Sequence, residues 1–146
     1  MKKVLTAVLV LLFFSALGAC KKAPAQPNIR EDAFTVAVKN NCTSDIYGLH
    51  FEYYLGAAPT GGGGVRYAKE NTPIAQGDIL TREFLPQDFP EGADLTGFSI
   101  EIFVILKDES EIPAGMAISI PAVYGETYSY TLTGSADEGF TLSETK

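Results

Sequence analysis

Apolar residues recur at every second position through most of this chain, and that spacing decides what it can fold into. Phe98, Ile100, Ile102, Val104 and Leu106 alternate with Ser99, Glu101, Phe103, Ile105 and Lys107. Tyr47, Leu49, Phe51, Tyr53 and Leu55 alternate with Gly48, His50, Glu52 and Tyr54. Phe34, Val36 and Val38 are separated by Thr35 and Ala37, and Tyr128, Tyr130 and Leu132 run through a stretch of Thr and Ser. Successive side chains of a β-strand point to opposite faces, so each set predicts a strand with one buried face. Met116, Ile118 and Ile120 form a shorter set, Phe140 and Leu142 a last one, and V-R-Y-A at 65–68 is a further candidate. D-I-L-T-R-E-F-L at 78–85 is strand-like without showing which face is buried. No window sustains the 3.6-residue spacing of an amphipathic helix.

Turn-forming residues separate these runs: N-N-C-T-S-D at 40–45, A-Q-G-D at 75–78, P-Q-D-F-P-E-G-A-D at 86–94, K-D-E-S at 107–110 and Y-G-E at 124–126. G-A-A-P-T-G-G-G-G at 56–64 reads as a flexible hairpin tip. About seven to eight short strands with such connections predict an all-β fold, an antiparallel β-sandwich of immunoglobulin-like type. A β-barrel is the alternative. A transmembrane barrel is disfavoured, because the strands are too few and their faces too uneven.

The first twenty residues follow a different logic. Lys2 and Lys3 precede the apolar run V-L-T-A-V-L-V-L-L-F-F at 4–14, and S-A-L-G-A then leads to Cys20. A positive start, a short apolar run and small residues before a cut are the three parts of a secretory signal peptide. The run is too short for a permanent membrane helix, which needs roughly 20 residues. Leu17-Gly18-Ala19-Cys20 resembles the lipobox of bacterial lipoproteins. That resemblance implies a diacylglycerol group on the Cys20 thiol and cleavage just before it. Cys20 is thus the predicted lipidation site and the first mature residue. The implied organisation is a signal peptide over 1–19, a lipidated cysteine with a Pro-rich tether over 20–30, and a β-sandwich domain over 31–146. The implied location is the extracytoplasmic face of a cell membrane, or the outer membrane in a Gram-negative cell. Buried methylenes contribute roughly 0.8 kcal/mol each, and stable anchoring takes more than one acyl chain. Lys21 and Lys22 would lie at the lipid headgroups. Within the domain, V-K-N-N-C-T-S-D-I-Y-G-L (38–49), A-Q-G-D-I-L-T-R-E-F (75–84) and I-E-I-F-V-I-L-K-D-E-S-E (100–111) are similar to the strand grammar of small secreted bacterial β-sandwich modules. No functional residue is carried over from that likeness.

Charge narrows the partners. Four of the 11 basic residues lie before residue 28, so from Asn28 onward 7 basic residues face 18 acidic ones, a net charge of −11. A domain that acidic is unsuited to nucleic acid, which needs clustered Lys and Arg. It is also repelled by an anionic membrane surface, so the tether is expected to hold it off the bilayer. With Cys20 acylated, Cys42 has no disulfide partner and is expected to be a small buried residue or a quiet loop thiol.

Few residues point to chemistry. His50 is the only histidine, and alternation places it beside Glu52 on the face opposite Leu49 and Phe51. No nucleophile elbow accompanies it, so a solvent-facing strand residue is expected and no catalytic residue is predicted. One histidine and one spare cysteine are too few for zinc or copper. Asp88, Glu91 and Asp94 cluster in one loop and Asp108, Glu109 and Glu111 in another, but neither has the order of a calcium loop, so both are expected to be solvated tips. The glycines at 61–64 are followed by Val65-Arg66-Tyr67, not by the G-K-[ST] of a phosphate loop. No metal or cofactor is predicted. Asn41-Cys42-Thr43 matches a glycosylation sequon that a bacterial lipoprotein seldom encounters. Tyr54, Tyr67 and Tyr124 are candidate contacts for a protein or glycan, since the chain has no Trp to stack on sugar. The expected function is therefore a non-enzymatic binding or interaction module of the cell envelope. The alternatives are a small carbohydrate hydrolase, which needs two facing carboxylates, and an accessory subunit of an envelope complex.

Mass analysis of the mature polypeptide is expected to find an acylated Cys20 at its N-terminus, and Cys20→Ser to leave the precursor uncut. A mature N-terminus at any other residue would remove the anchor from this reading.

Overall fold

The alternating runs become strands in a computed structural model, which describes residues 30–66 and 71–145. The signal peptide, the lipobox and Cys20, the tether up to residue 29, and Tyr67 lie outside the described residues. Nine strands follow in order: β1 (Phe34–Asn40), β2 (Gly48–Leu55), β3 (Ala58–Arg66), β4 (Ile79–Phe84), β5 (Phe98–Ile105), β6 (Glu111–Pro113), β7 (Ile118–Ser119), β8 (Thr127–Ser135) and β9 (Gly139–Glu144). They form an all-β sandwich. One sheet has the order β4-β1-β8-β9; the other is β3-β2-β5-β6, with β7 also pairing β5.

The expectation of purely antiparallel pairing is corrected at one place. β1 and β8 run parallel, Thr35 opposite Thr127 and Val38 opposite Tyr130, while β1 pairs β4 antiparallel on its other side. β1 is therefore central, which is why Thr35 and Ala37 are buried as well as Phe34, Val36 and Val38. The parallel register also places the start of β8 beside the start of β1, where Thr35 N–H donates to the Glu126 carbonyl (3.0 Å). The start of β1, the end of β4, the start of β5 and the 121–126 turn thus meet at one end of the sandwich, here called the N-terminal end.

A second correction concerns residues 58–64. They are not a hairpin tip but most of β3, an edge strand paired with β2 from Leu55↔Ala58 to Gly48↔Arg66. The tip is only the turn at Gly56 and Ala57. Thr60 is an extra residue between Tyr53↔Gly61 and Tyr54↔Pro59, a bulge whose hydroxyl accepts from Leu55 N–H (3.1 Å). Gly61 is required by a neighbour: a Cβ there would fall on the Tyr53 hydroxyl and ring. Gly134 in β8 is required twice over, by φ +110° and because a Cβ would strike the Gly139 carbonyl. A third correction is Met116, which alternation placed with Ile118 and Ile120. Gly115 (φ +91°) turns the chain, and Met116 is left 90% exposed.

The core joins both sheets. Phe34 and Phe84 from one, Tyr53 and Phe98 from the other, and Phe89 from the loop after β4 pack ring against ring. Centroid distances run from 4.9 Å for Phe34–Phe84 to 6.3 Å for Phe84–Phe89. At the opposite end Asn40 is buried and uses its whole amide. Its Nδ2 donates to the carbonyls of Ile74 (2.9 Å) and Ala75 (3.3 Å), and its Oδ1 accepts from Cys42 N–H (3.0 Å). That network fixes the 71–78 segment against the β1–β2 connection, as a buried polar group must be paired.

Phe98→Ala, at the centre of the ring cluster, is expected to lower the free energy of unfolding by about 3–5 kcal/mol in urea titration. Ile79→Ala, on the exposed side of β4, is expected to change it by less than about 0.5 kcal/mol. Equal effects would mean that the rings do not carry the core.

Candidate functional site

The outer face of the five-stranded sheet carries the polar members of the alternating runs. Antiparallel register sets them in rows across β3, β2 and β5. Gly64, His50 and Phe103 form one row, Gly62, Glu52 and Glu101 the next, and Tyr54 lies opposite Ser99 in a third. No strand pairs the far edge of β3 among the described residues. With no side chains on Gly62 and Gly64, β3 forms a bare shelf before His50, Glu52 and Tyr54. The result is a shallow, open groove of about 410 Å³ that includes Pro59, Thr60 and Gly61.

Glu52 lies directly opposite Glu101. Two like charges in facing positions destabilise a sheet. The Tyr54 hydroxyl lies between them and donates to Glu52 Oε2 (2.9 Å). The carboxylate it serves raises the Tyr54 pKa above the usual phenol range; burial adds to this, and then Glu101. His50 is the solvent-side strand residue that alternation indicated, but it is not unpartnered. Its Nδ1 lies 2.8 Å from Glu111 Oε2 of β6, and its ring rests 5.8 Å from that of Phe103. The arrangement offers carboxylates, one imidazole and an aromatic floor along an open edge. Chemically it suits a cationic group borne on an extended chain.

A second groove of about 450 Å³ lies at the N-terminal end, between the 86–93 loop and Tyr124. Pro86, Phe89, Pro90 and Ala93 supply its apolar surface, with Glu91 at its margin. Tyr124 is 36% exposed and Val123 beside it 56%. Burial, then the nearby Asp88, raises the Tyr124 pKa.

The other residues singled out in the sequence have structural duties. The acidic loops are not merely solvated tips. Asp88 accepts from Leu85 N–H (2.8 Å), Asp94 from Thr96 N–H (2.9 Å), and Asp108 from the Ser110 backbone N–H (3.1 Å) and hydroxyl (2.6 Å), so each holds a turn. Cys42 is buried, and desolvation pushes its thiol up to about 11. Its sulfur lies 3.8 Å from the Leu132 carbonyl. Among the described residues no group of three or more His, Cys, Asp or Glu side chains can hold a metal ion. The facing of Glu52 and Glu101 and the pairing of His50 with Glu111 were not readable from the sequence. Both depend on strand register, and only the shared alternation phase of Glu52 and Glu101 hinted at it.

No family model matches the chain, and no curated protein matches it. Solved structures resemble it at a distance. The NMR structure of a protein from Eubacterium rectale has a TM-score of 0.44 at 5% identity, covering 80% of this chain and 91% of that one. The membrane-binding domain of pneumolysin has a TM-score of 0.36 at 8% identity, covering 78% and 96%. Intermedilysin, solved with human CD59, has a TM-score of 0.38 at 9% identity, and the match covers 77% of this chain but only 24% of that one.

Glu101→Gln removes one of two facing charges. It is expected to stabilise the fold by about 0.2–1 kcal/mol at low salt, with the gain shrinking towards 1 M salt. Destabilisation at low salt would show that Tyr54 needs both carboxylates.

Proposed function

We propose that this chain is a lipid-anchored, non-enzymatic binding module of a bacterial cell envelope, and that it receives an extended segment of a protein partner along β3. The observation that carries this is the open edge of β3. Sheet edges are ordinarily guarded by charge, proline, bulges or covering loops, because their free N–H and C=O groups accept another strand. Pro59 and the Thr60 bulge guard the start of β3; Gly61–Gly64 bear no side chain of their own, and the Arg82 guanidinium of β4 lies beside only Gly63. A strand added there would lay its side chains over the shelf, where lysine or arginine meets Glu52 and Glu101. The anchor reading rests on the lipobox and supplies the location. The facing carboxylates also meet one requirement of a glycoside hydrolase, but the open sheet face encloses no sugar ring, so binding is the better-supported reading.

A photo-cross-linking residue in place of Pro59, used in living cells, is expected to give a discrete adduct. The same residue in place of Asp137, at the far turn, should give none. Glu52→Lys with Glu101→Lys should reduce the Pro59 adduct several-fold. No adduct from position 59, or equal adducts from 59 and 137, would overturn the assignment to β3.

A further inference from the structure

β3 and β4 are the end strands of their sheets on the same side of the sandwich. A strand added to β3 therefore meets two different surroundings. Outward, beyond Gly62 and Gly64, lie Glu52, Glu101 and the His50–Glu111 pair. Inward, on the face that Gly61 and Gly63 share with Tyr53 and Phe51, lies Arg82 of β4. One guanidinium nitrogen stands 3.8 Å from where a Cβ on Gly63 would sit. The group also lies over the Phe84 ring, 5.5 Å from its centroid. Among the described residues no carboxylate forms a salt bridge with it.

A cation beside an open edge decides what can pair there. A guanidinium stays charged at any ordinary pH and needs partners for its N–H donors. An apolar or basic strand laid over it strips its water and offers no acceptor, so such a strand is a poor partner. A strand that brings a carboxylate opposite Gly63 replaces that water with a charge-assisted hydrogen bond. Side chains alternate along a strand, so the residues on either side of that carboxylate point outward, over Gly62 and Gly64. The added strand would lie roughly 10 Å from β2, two strand spacings away. A long side chain laid across a bare glycine bridges that distance, and lysine and arginine have the apolar stem for it. A second copy of β3 does not meet these terms. Residues 58–66, A-P-T-G-G-G-G-V-R, include no acid, so a copy would leave Arg82 unpaired.

We infer that the strand received by β3 carries charges of opposite sign on consecutive residues: one carboxylate directed inward at Arg82, between two basic side chains laid outward over Gly62 and Gly64. This rests on β3 receiving a strand and specifies which strand. The consequence is selectivity. The acidic domain attracts any cationic segment from a distance, and Glu52 and Glu101 hold its basic side chains. Arg82 then repels a segment that is basic throughout and accepts one that alternates. Attraction comes from one face of the edge and rejection from the other.

The test uses the protein as cells process it, in neutral micelles, with three end-blocked peptides, T-V-T-K-X-K-T-V-T with Glu, Gln or Lys as X. The sequence is symmetric, so either strand direction presents the same charges. NMR follows the amides of Gly61–Gly64 as each peptide is titrated to millimolar concentration. The Glu peptide is expected to bind about fivefold more tightly than the Gln peptide, and the Lys peptide most weakly. General attraction to an acidic domain gives the reverse order. In Arg82→Ser the Glu peptide should lose its advantage, and in Arg82→Glu the Lys peptide should lead. The wild-type order needs no substitution, so a variant that fails to fold does not confuse the result. A wild-type order led by the Lys or Gln peptide, or a Glu preference that persists in folded Arg82→Ser, would overturn the inference while leaving β3 as a strand-receiving edge. Peptides that move none of the Gly61–Gly64 amides would overturn that edge as well.

Discussion

The packing of Phe34, Tyr53, Phe84, Phe89 and Phe98 is the interaction on which the remainder of the structure depends. Two rings come from each sheet and one from a loop, so a single cluster ties the layers together and anchors the connection between β4 and β5. Phe34 opens β1, Phe84 closes β4 and Phe98 opens β5, which places the cluster at strand ends and not mid-sheet. Near-parallel rings (Phe34–Phe84, 13°) alternate with edge-on ones (Phe34–Phe98, 79°), the geometry that the ring quadrupole favours. Phe89 belongs both to this cluster and to the wall of the N-terminal groove. Core and groove therefore share a residue, and the groove keeps its shape because the core holds it.

The parallel β1–β8 pair is the second constraint, and it is topological. Its partners lie far apart in sequence, so closing it fixes a long loop at a large entropic cost. Its effect is to bring the 121–126 turn to where the chain enters the fold. Had β8 run antiparallel to β1, Tyr124 would stand at the other end, beside the Asn40 network. The N-terminal groove is a consequence of strand direction.

Much of the sandwich was legible because alternation is local. The buried faces of β1, β2, β5 and β8 follow directly from residues two apart, and the turns at 75–78, 107–110 and 124–126 from their Gly, Asp and Ser content. What was not legible depends on contacts distant in sequence. Nothing local says that β1 pairs β8 in parallel or that Glu52 meets Glu101. Nor does local sequence show that a glycine run belongs in a strand. Isolated, G-G-G-G favours no conformation, and it is extended here only because β2 supplies the partner. Met116 failed for a related reason: it lies in the turn at Gly115, before β7 begins at Ile118, and a turn residue has no strand face to bury.

That glycine run also shows where packing stops explaining the sequence. Each glycine in a strand costs roughly 0.5–1 kcal/mol relative to alanine, so four in succession require a cause. Gly61 has one in the Tyr53 ring, and Gly62 has one in the Phe51 carbonyl, 3.1 Å from where a Cβ would sit. At Gly63 the nearest atom is an Arg82 nitrogen at 3.8 Å, and at Gly64 the Leu49 carbonyl at 3.7 Å, both ordinary contact distances. Neither position has a positive φ. The fold would accept alanine at both. Their bareness makes sense if another backbone must come close to this strand, which is one of the uses that interior strand glycines serve.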